Sequence, residues 1–171
     1  INVDIKGKSF DSISLGSSNP GAVETTAGGV GRNIAHNLAL LNIPVILLSA
    51  VGSDTQGLKV LEETSRSGVC TDYILRSKDY NTGTYIALLD NQGEMILALS
   101  DMQILNNLDT AYFQKKLDLI KDSKFIICDT NIPIDSIRYL KETANALGIP
   151  IFIEPVSVAK AQKLKNCLQG I

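Results

Sequence analysis

Strand-like and helix-like segments alternate along this chain, and their order leaves few folds open to it. Short apolar runs, such as residues 45–51 and 125–128, have the length of buried strands, and between them apolar residues recur as on one face of a helix. This alternation is typical of an α/β protein in which helices cover a layered sheet. The alternation fails at residues 6–26 and 82–100, and we expect these stretches to pair as a small separate β-sheet.

Local signals set the limits of the predicted elements. Pro44 disfavours a helical residue before it, Asp54 offers a side-chain oxygen to a helix start, and Gly148 closes a later helix. We expect the strand at residues 45–51 to be buried on both faces. The helix after Asp54 is predicted to face inward through Leu58, Val60 and Leu61. The predicted helices cover residues 33–41, 55–67, 110–121 and 135–147, and the predicted strands cover residues 1–5, 45–51, 69–75, 125–128 and 151–153, with a hairpin turn at 91–93.

The charge balance excludes several kinds of partner. The chain carries 16 Lys and Arg residues against 18 Asp and Glu residues, and neither sign forms a run. It therefore lacks the basic footprint of a protein that binds nucleic acid or an acidic membrane surface. No apolar run approaches the ~20 residues of a membrane span. We expect a small-molecule partner.

The three cysteines indicate the redox compartment. Cys70, Cys128 and Cys167 are odd in number, far apart and without C-x-x-C spacing. This pattern argues against a disulfide framework and against a zinc site, and it fits a reducing cytoplasm. The chain starts at Ile1 inside a strand-like stretch, so we expect that its own beginning is missing.

A glycine cluster, AGGVGR at residues 27–32, is the sharpest local signal. Gly28, Gly29 and Gly31 stand just before a predicted helix, where missing Cβ atoms let a ligand approach the backbone and the first helical N–H groups can donate to it. The cluster matches neither a phosphate-binding P-loop nor a dinucleotide G-x-G-x-x-G. The alternative is a tight turn that only packs against the sheet.

Three polar residues stand where a sheet can present them to a ligand. Asn2 and Asp4 alternate on the first strand, so both side chains leave the same face. A carboxylate beside an amide suits vicinal sugar hydroxyls, because the carboxylate accepts two O–H bonds while the amide both donates and accepts. Asn131 follows the strand at 125–128, at the edge where open α/β sheets bind ligands. The alternatives are a turn former for the pair and a loop residue or helix cap for Asn131.

The sequence marks no catalytic group. No Ser/His/Asp set, metal-ligand cluster or catalytic carboxylate pair can be assembled from it. If the chain belongs to an enzyme, its chemical step is not visibly encoded here, and no catalytic residue and no metal ligand is assigned.

Four segments taken in order resemble the amino-terminal half of ribokinase-like, PfkB-type carbohydrate kinases. They are AGGVGRNIAHNLALL, SAVGSDTQG, SGVCTDYILR and NTGTYIALLDNQGEMILALSDM, and together they cover nearly the whole chain. The resemblance implies a partial ribokinase-like three-layer α/β/α sandwich with a small β-sheet lid, formed by segments at about residues 5–26 and 80–103. The forms GGVGRNIA, LLDNQGEM, SDM and EPVSVAK are most similar to those of members that phosphorylate pseudouridine.

The resemblance also implies roles for individual residues. Asn2 and Asp4 match family positions that bind sugar hydroxyls. Gly28, Gly29 and Asn33 match the glycine loop and the amide that close on the sugar.

Two residues near the end of the chain are implied as ligands in the same way. Asn131 falls where other members have a polar sugar ligand. Lys160, in the EPVS-x-x-K stretch, is expected to point toward the transferred phosphate, and the alternative is an exposed helix lysine.

One part of the family pattern has no counterpart in this chain. Family members carry a second signature, G-A-G-D, whose Asp is the general base and whose glycines form an anion hole, and nothing after Lys160 resembles it. We therefore expect that the carboxy-terminal part, which handles ATP, Mg²⁺ and usually a monovalent cation, is absent. The 171-residue chain alone is then expected to be inactive.

By resemblance, the intact protein is expected to transfer the γ-phosphoryl group of ATP to the 5′-hydroxyl of pseudouridine. Two alternatives stay open. The first is another ribofuranosyl substrate, such as ribose, adenosine or another nucleoside, and the second is a non-catalytic sugar-binding fragment. Lid sheets of the family often pair between subunits, so a homodimer is the expected assembly.

Overall fold

The computed structural model describes residues 1–165, 167 and 169. The chain divides into two compact units, the first from Ile1 to Ile104 and the second beginning at Leu105. Across the described residues, no helix combines the length and the apolar character that a membrane crossing requires.

The first unit mixes strands with helices. Its strands are β1 (Asn2–Ser9), β2 (Gly21–Gly28), β3 (Ala50–Gly52), β4 (Leu75–Ser77), β5 (Thr84–Leu89) and β6 (Met95–Asp101). Its helices are α1 (Val30–Leu40) and α2 (Thr55–Arg66).

One mixed sheet joins the two stretches that interrupt the α/β order. Its strand order is β2-β1-β5-β6, with β1 antiparallel to β2 and parallel to β5, and with β5 and β6 as an antiparallel hairpin. The predicted pairing of residues 6–26 with 82–100 is therefore confirmed. The predicted end of the first strand at Ile5 is wrong. β1 continues to Ser9 because β2 pairs with all eight of its residues.

Helix α1 begins at Val30, earlier than the predicted start at Asn33. Gly29 has a φ of 104°, a backbone conformation open mainly to glycine, and it turns the chain directly from β2 into the helix. The glycine cluster therefore lies at the junction of strand and helix, as the sequence indicates.

The predicted bounds of the strands at residues 45–51 and 69–75 are wrong, because the structure has β3 at Ala50–Gly52 and β4 at Leu75–Ser77. Only β3 and β4 form a continuous parallel pair, and upstream of them a single bridge joins Ile46 to Cys70. Ile46 is 46% exposed, so the expected burial on both faces fails at the start of the predicted strand, whereas Ala50 and Val51 of β3 are both fully buried, as expected. Among the described residues β4 is the one strand beside β3, which leaves the other backbone edge of β3 without a strand.

Helix α2 follows its N-cap Asp54, as predicted. Its buried residues have helical spacing, and they are Gly57, Val60, Leu61 and Thr64. Leu58 is 56% exposed, which corrects its inward assignment, because it lies about 100° around the helix from Gly57. The apolar core of this unit consists of Ile1, Val3, Ala35, Leu47, Val51, Val60, Leu61, Val69 and Ile74.

The second unit also alternates strands and helices. Its elements are α3 (Thr110–Gln114), α4 (Leu117–Lys121), β7 (Ile126–Asp129), α5 (Ile134–Leu147), β8 (Ile151–Glu154) and α6 (Val158–Ala161). β7 and β8 are parallel. The predicted helix at 110–121 is divided at Lys116, whose ψ of 12° leaves the helical region. Helix α5 ends at Gly148 with a φ of 69°, as predicted.

Candidate functional site

The start of β1 carries two polar side chains in contact. Nδ2 of Asn2 donates a hydrogen bond to Oδ1 of Asp4 at 2.5 Å, so both side chains leave the same face of the strand, as predicted. Asn2 is buried and Asp4 is half-buried. Because the amide nitrogen is directed at Oδ1 of Asp4, the pair offers Oδ2 of Asp4 and Oδ1 of Asn2 as acceptors for hydroxyl groups.

Two of the predicted glycines make room for this polar pair. A Cβ atom on Gly28 would collide with the carboxylate of Asp4, and a Cβ atom on Gly29 would stand 3.0 Å from Oδ1 of Asn2. Gly29 is the N-cap of α1, and as a glycine it has no side chain with which to cap the helix. The space beside the glycines is thus taken by Asn2 and Asp4. The sequence predicted that a ligand would approach this backbone, and it did not indicate these two side chains there.

Asn33 lies one helical turn beyond Gly29. Its backbone N–H donates to the carbonyl oxygen of Gly29 at 2.8 Å, and its side chain is exposed. The structure therefore places Asn2, Asp4, Gly28 and Gly29 side by side, with the backbone of Asn33 one helical turn further along the chain.

A buried arginine beside Asn33 was missed by sequence reasoning. Arg32 is 6% exposed, and its Nη1 donates to Oδ1 of Asn33 at 3.3 Å. Its Nε donates to Oγ1 of Thr64 at 3.2 Å, and its Nη2 donates to Oε1 of Glu63 at 3.4 Å. The only sequence signal for Arg32 is its position between Gly31 and Asn33, because its partners on α2 lie about thirty residues away.

The register of the sheet aligns Asp4 with three other side chains. Asp4 is opposite Thr26 of β2 and Tyr85 of β5, and Tyr85 is opposite Ser100 of β6. Directly opposed residues lie on the same face of a sheet. The face that carries Asp4 therefore also presents two hydroxyl groups and a phenol.

The opposite face of the same sheet is apolar. Leu88 of β5 is opposite Leu97 of β6, and Ile86 is opposite Leu99. Leu88, Leu97 and Leu99 are 45%, 52% and 62% exposed. At the β5–β6 end this face is therefore apolar and exposed in the single chain, whereas at the start of β1 the same face carries Val3, which is buried in the core.

A second carboxylate anchors the segment that leads into β5. Asp54 caps α2 by accepting from the N–H of Gly57 at 2.7 Å, and it also accepts from the N–H and the hydroxyl of Thr82 at 2.7 and 2.8 Å. Burial by itself raises the pKa of Asp54, but the hydrogen bonds from Thr82 and Gly57 outweigh it, and the pKa lies below its ordinary 3.8. The sequence predicted the cap but not the contact with Thr82.

In the second unit, two lysines contact the turn after β7. Nζ of Lys160 donates to Oδ1 of Asn131, and Nζ of Lys163 donates to the carbonyl oxygen of Thr130 at 3.2 Å. The N–H of Asn131 donates to Oδ1 of Asp129 at 2.8 Å. The structure therefore places Asn131 and Lys160 in direct contact, and Lys160 is half-buried.

A thiol at the end of β7 is held in its neutral form. Burial, together with the negative charge of Asp129 and of Cys167, raises the pKa of Cys128 to about 12. A thiol with this pKa carries almost no thiolate at neutral pH, so it is a poor nucleophile.

The residues that the structure describes do not fit a metal centre. Among them, no group of three or more His, Cys, Asp or Glu side chains is arranged to hold a metal ion.

Residues 2–171 match the family model described as pfkB family carbohydrate kinase. The chain is 42% identical over 170 residues to the pseudouridine kinase of Escherichia coli strain K12, an alignment that covers 99% of this chain and 54% of that protein. The solved structure of a carbohydrate kinase from Agrobacterium tumefaciens has a TM-score of 0.90 at 32% identity, covering 99% of this chain and 56% of that chain. Ribokinase from Arabidopsis thaliana has a TM-score of 0.80 at 20% identity, covering 89% of this chain and 50% of that chain.

These similarities settle the fold. The predicted fold class, a ribokinase-like α/β fold present in part, is confirmed by the two solved structures. The chain spans about half the length of the curated relatives it matches.

Proposed function

Because the chain belongs to the pfkB family of carbohydrate kinases, we propose that the intact protein transfers the γ-phosphoryl group of ATP to the 5′-hydroxyl of pseudouridine. The 42% identity to the pseudouridine kinase of Escherichia coli supports this choice of substrate. The observation that carries the proposal is the hydrogen-bonded pair of Asn2 and Asp4 beside the start of α1. It supplies the fixed acceptors that a ribose ring requires.

In the proposed complex, the ribose hydroxyls bind to side chains of the first unit. Oδ2 of Asp4 and Oδ1 of Asn2 accept O–H bonds, and the amide of Asn33 donates to a hydroxyl oxygen. Vicinal hydroxyls need both kinds of partner, because each hydroxyl donates one hydrogen bond and also accepts. Gly28 and Gly29 contribute by admitting the polar pair close to the helix start. Side chains already held by one another lose little freedom when the sugar binds.

The mixed sheet is proposed to act as a lid that shields the sugar from water. The lid segments are those expected from the sequence, at about residues 5–26 and 80–103. The polar row of Thr26, Asp4, Tyr85 and Ser100 supports this role, because it gives one face of the lid groups that can contact a sugar. The contact of Asp54 with Thr82 fixes the chain just before β5, where the second lid segment begins.

The proposed reaction also requires ATP, Mg²⁺ and a monovalent cation, and the proposal assigns their binding to residues other than those of this chain. The structure of Arabidopsis ribokinase was solved with ribose and ATP. Within the second unit, Asn131 is proposed as a polar sugar ligand, and Lys160, which it contacts, is proposed to offer positive charge to the transferred phosphate. ATP would supply the phosphoryl group, and the residues of this chain would bind and orient the acceptor.

The apolar face of the lid sheet supports a homodimer. Leu88, Leu97 and Leu99 lie exposed on this face, and β6 is an edge strand of the sheet. Pairing of two lids would cover both the apolar side chains and the open strand edge.

The three free thiols support a reducing cytoplasm as the location.

Phosphorylation assays of the intact protein test the proposed function. ATP is supplied with pseudouridine, uridine, ribose or adenosine, and kcat/KM is expected to be highest for pseudouridine. Turnover of ribose or adenosine without turnover of pseudouridine would contradict the substrate while keeping the kinase. Binding of a nucleoside in calorimetry without transfer to any acceptor would contradict the kinase and favour a sugar-binding protein.

A further inference from the structure

Arg32 is a buried cation with a defined set of partners at the start of α1. Its side chain is 7% exposed. The guanidinium contacts Asn33 through Nη1, Thr64 through Nε and Glu63 through Nη2. Thr64 is fully buried and donates its own hydroxyl to the carbonyl oxygen of Val60 at 2.6 Å, so its oxygen is oriented to accept from Nε.

These partners fix the plane of the guanidinium. Thr64 and Glu63 both lie on α2, so Arg32 is held from the helix opposite to its own. Glu63 is 51% exposed, and an ion pair in that position contributes little stability. The buried bond to Thr64 is therefore the main constraint on Arg32.

The contact with Arg32 also decides which way the amide of Asn33 faces. A guanidinium has donors and no acceptor, so the amide must turn Oδ1 toward it. Nδ2 of Asn33 then points away from Arg32. Because Asn33 is exposed and Arg32 takes its Oδ1, the two N–H donors of its amide are left for a ligand.

We propose that Arg32 is a positioning residue for the sugar site: it holds Oδ1 of Asn33 so that Nδ2 donates to an acceptor oxygen of the substrate. This inference rests on the proposed function, since it requires that Asn33 binds the sugar. Asp4 and Asn33 then make different kinds of hydrogen bond to the sugar. Asp4 accepts from hydroxyl hydrogens, and Asn33 recognises a hydroxyl oxygen. A sugar in which that hydroxyl is replaced by hydrogen loses the bond to Asn33.

A double-mutant cycle separates positioning from simple packing of α1 against α2. Pseudouridine binding to the intact protein is measured by calorimetry for Arg32→Lys, Asn33→Ala and the double variant. Lysine keeps the charge but lacks the planar fork that reaches Thr64 and Asn33 together. Asn33→Ala is expected to weaken binding about 10-fold, as for the loss of one hydrogen bond. Arg32→Lys is expected to weaken binding about 5-fold when Asn33 is present and less than about 2-fold in the Asn33→Ala background.

Glu63→Gln is the matched control. It removes the exposed ion pair of Arg32 and leaves the contact with Asn33, so binding is expected to stay within about 2-fold of the wild type. If Arg32→Lys does not fold, Thr64→Val replaces it in the cycle. Thr64→Val removes the acceptor for Nε, and the same dependence on Asn33 is expected.

The possible outcomes distinguish the two proposals. An equal loss of affinity from Arg32→Lys in both backgrounds would overturn the positioning role and leave Arg32 as a structural link between the helices. Wild-type affinity in Asn33→Ala would instead remove Asn33 from the proposed site, and the positioning role would fail with it. If Arg32→Lys weakens pseudouridine binding only when Asn33 is present, the result supports both the sugar site and the positioning role of Arg32.

Discussion

The carboxylate of Asp4 occupies the place that a Cβ atom on Gly28 would take. Gly28 is opposite Asn2 in the pairing of β1 with β2, so Asp4 is its diagonal neighbour on the same face. The glycine in this strand is therefore explained by the polar pair on the neighbouring strand. A side chain added at Gly28 would therefore displace the Asp4 carboxylate while residue 4 itself stays unchanged.

Gly28→Ala is expected to weaken sugar binding by about 2 kcal/mol, because the new methyl group forces the Asp4 carboxylate away from its position. Gly7→Ala is the control in the same sheet, since a Cβ atom there meets only Cδ2 of Leu88 at 3.2 Å. Calorimetry gives the affinity, and thermal unfolding shows whether both variants fold. Equal affinity of the two variants would contradict a role for the Asp4 position.

Asp54 is expected to make stability depend on pH. Its pKa is lowered in the folded state, so its contribution is present above its ordinary value of 3.8 and is lost as the pH falls through the lower folded value. At neutral pH, Asp54→Asn is expected to lower the free energy of unfolding by about 1–3 kcal/mol. This difference from the wild type should shrink between about pH 5 and pH 3, as measured by urea unfolding.

Asp118→Asn serves as the control for that series, because Asp118 is 98% exposed and its only ion pair is with Lys121 in the described structure. It should change stability little at any pH. A difference for Asp54→Asn that stays constant from pH 5 to pH 3 would show that the hydrogen bonds from Thr82 and Gly57 do not favour the ionised form.

Leu97→Asp is expected to convert a dimer of the intact protein into a monomer, because it puts a charge on the apolar face of the lid sheet. Ile96→Asp is the matched control, since Ile96 is also exposed, at 51%, but its side chain leaves the other face of β6. Light scattering coupled to gel filtration measures the mass. A monomeric wild type, or loss of the dimer in Ile96→Asp alone, would contradict pairing through this face.

Cys128 is expected to resist alkylation in the folded protein. With a pKa of about 12, only about one thiol in ten thousand is ionised at pH 8, and the thiolate is the reactive form. Iodoacetamide labelling followed by mass spectrometry should show slow modification of Cys128 in buffer and fast modification in urea. Equal rates in the two solutions would contradict the burial of this thiol.

Most features predicted residue by residue from the sequence have local causes, whereas the pairing of residues 6–26 with 82–100 was predicted because both stretches interrupt the α/β order. Asp54 as a helix cap, Gly148 as a helix end and the turn at residues 91–93 each depend on a few neighbouring residues, and the structure has all three. The pairing of Asn2 with Asp4 follows from the two-residue period of a strand, which is also local.

The features that were missed depend on distant parts of the chain. β1 extends to Ser9 only because β2 lies beside it, and the contact of Asp54 with Thr82 joins residues 28 positions apart. The polar row around Asp4 requires the register of four strands, which no single segment specifies. Arg32 was missed for the same reason, because its buried partner Thr64 comes from another helix.

Titration calorimetry of the intact protein with pseudouridine tests most directly whether Asp4 binds the ribose. Asp4→Ala is expected to weaken binding by about 2 kcal/mol, or roughly 30-fold, because the hydroxyls lose a charged acceptor. Asp101→Ala is the control, since Asp101 is opposite Thr84 and so lies on the other face of the same sheet. The affinity of Asp101→Ala for pseudouridine should equal that of the wild type. An unchanged affinity of Asp4→Ala for pseudouridine would contradict the proposal that Asp4 binds the ribose.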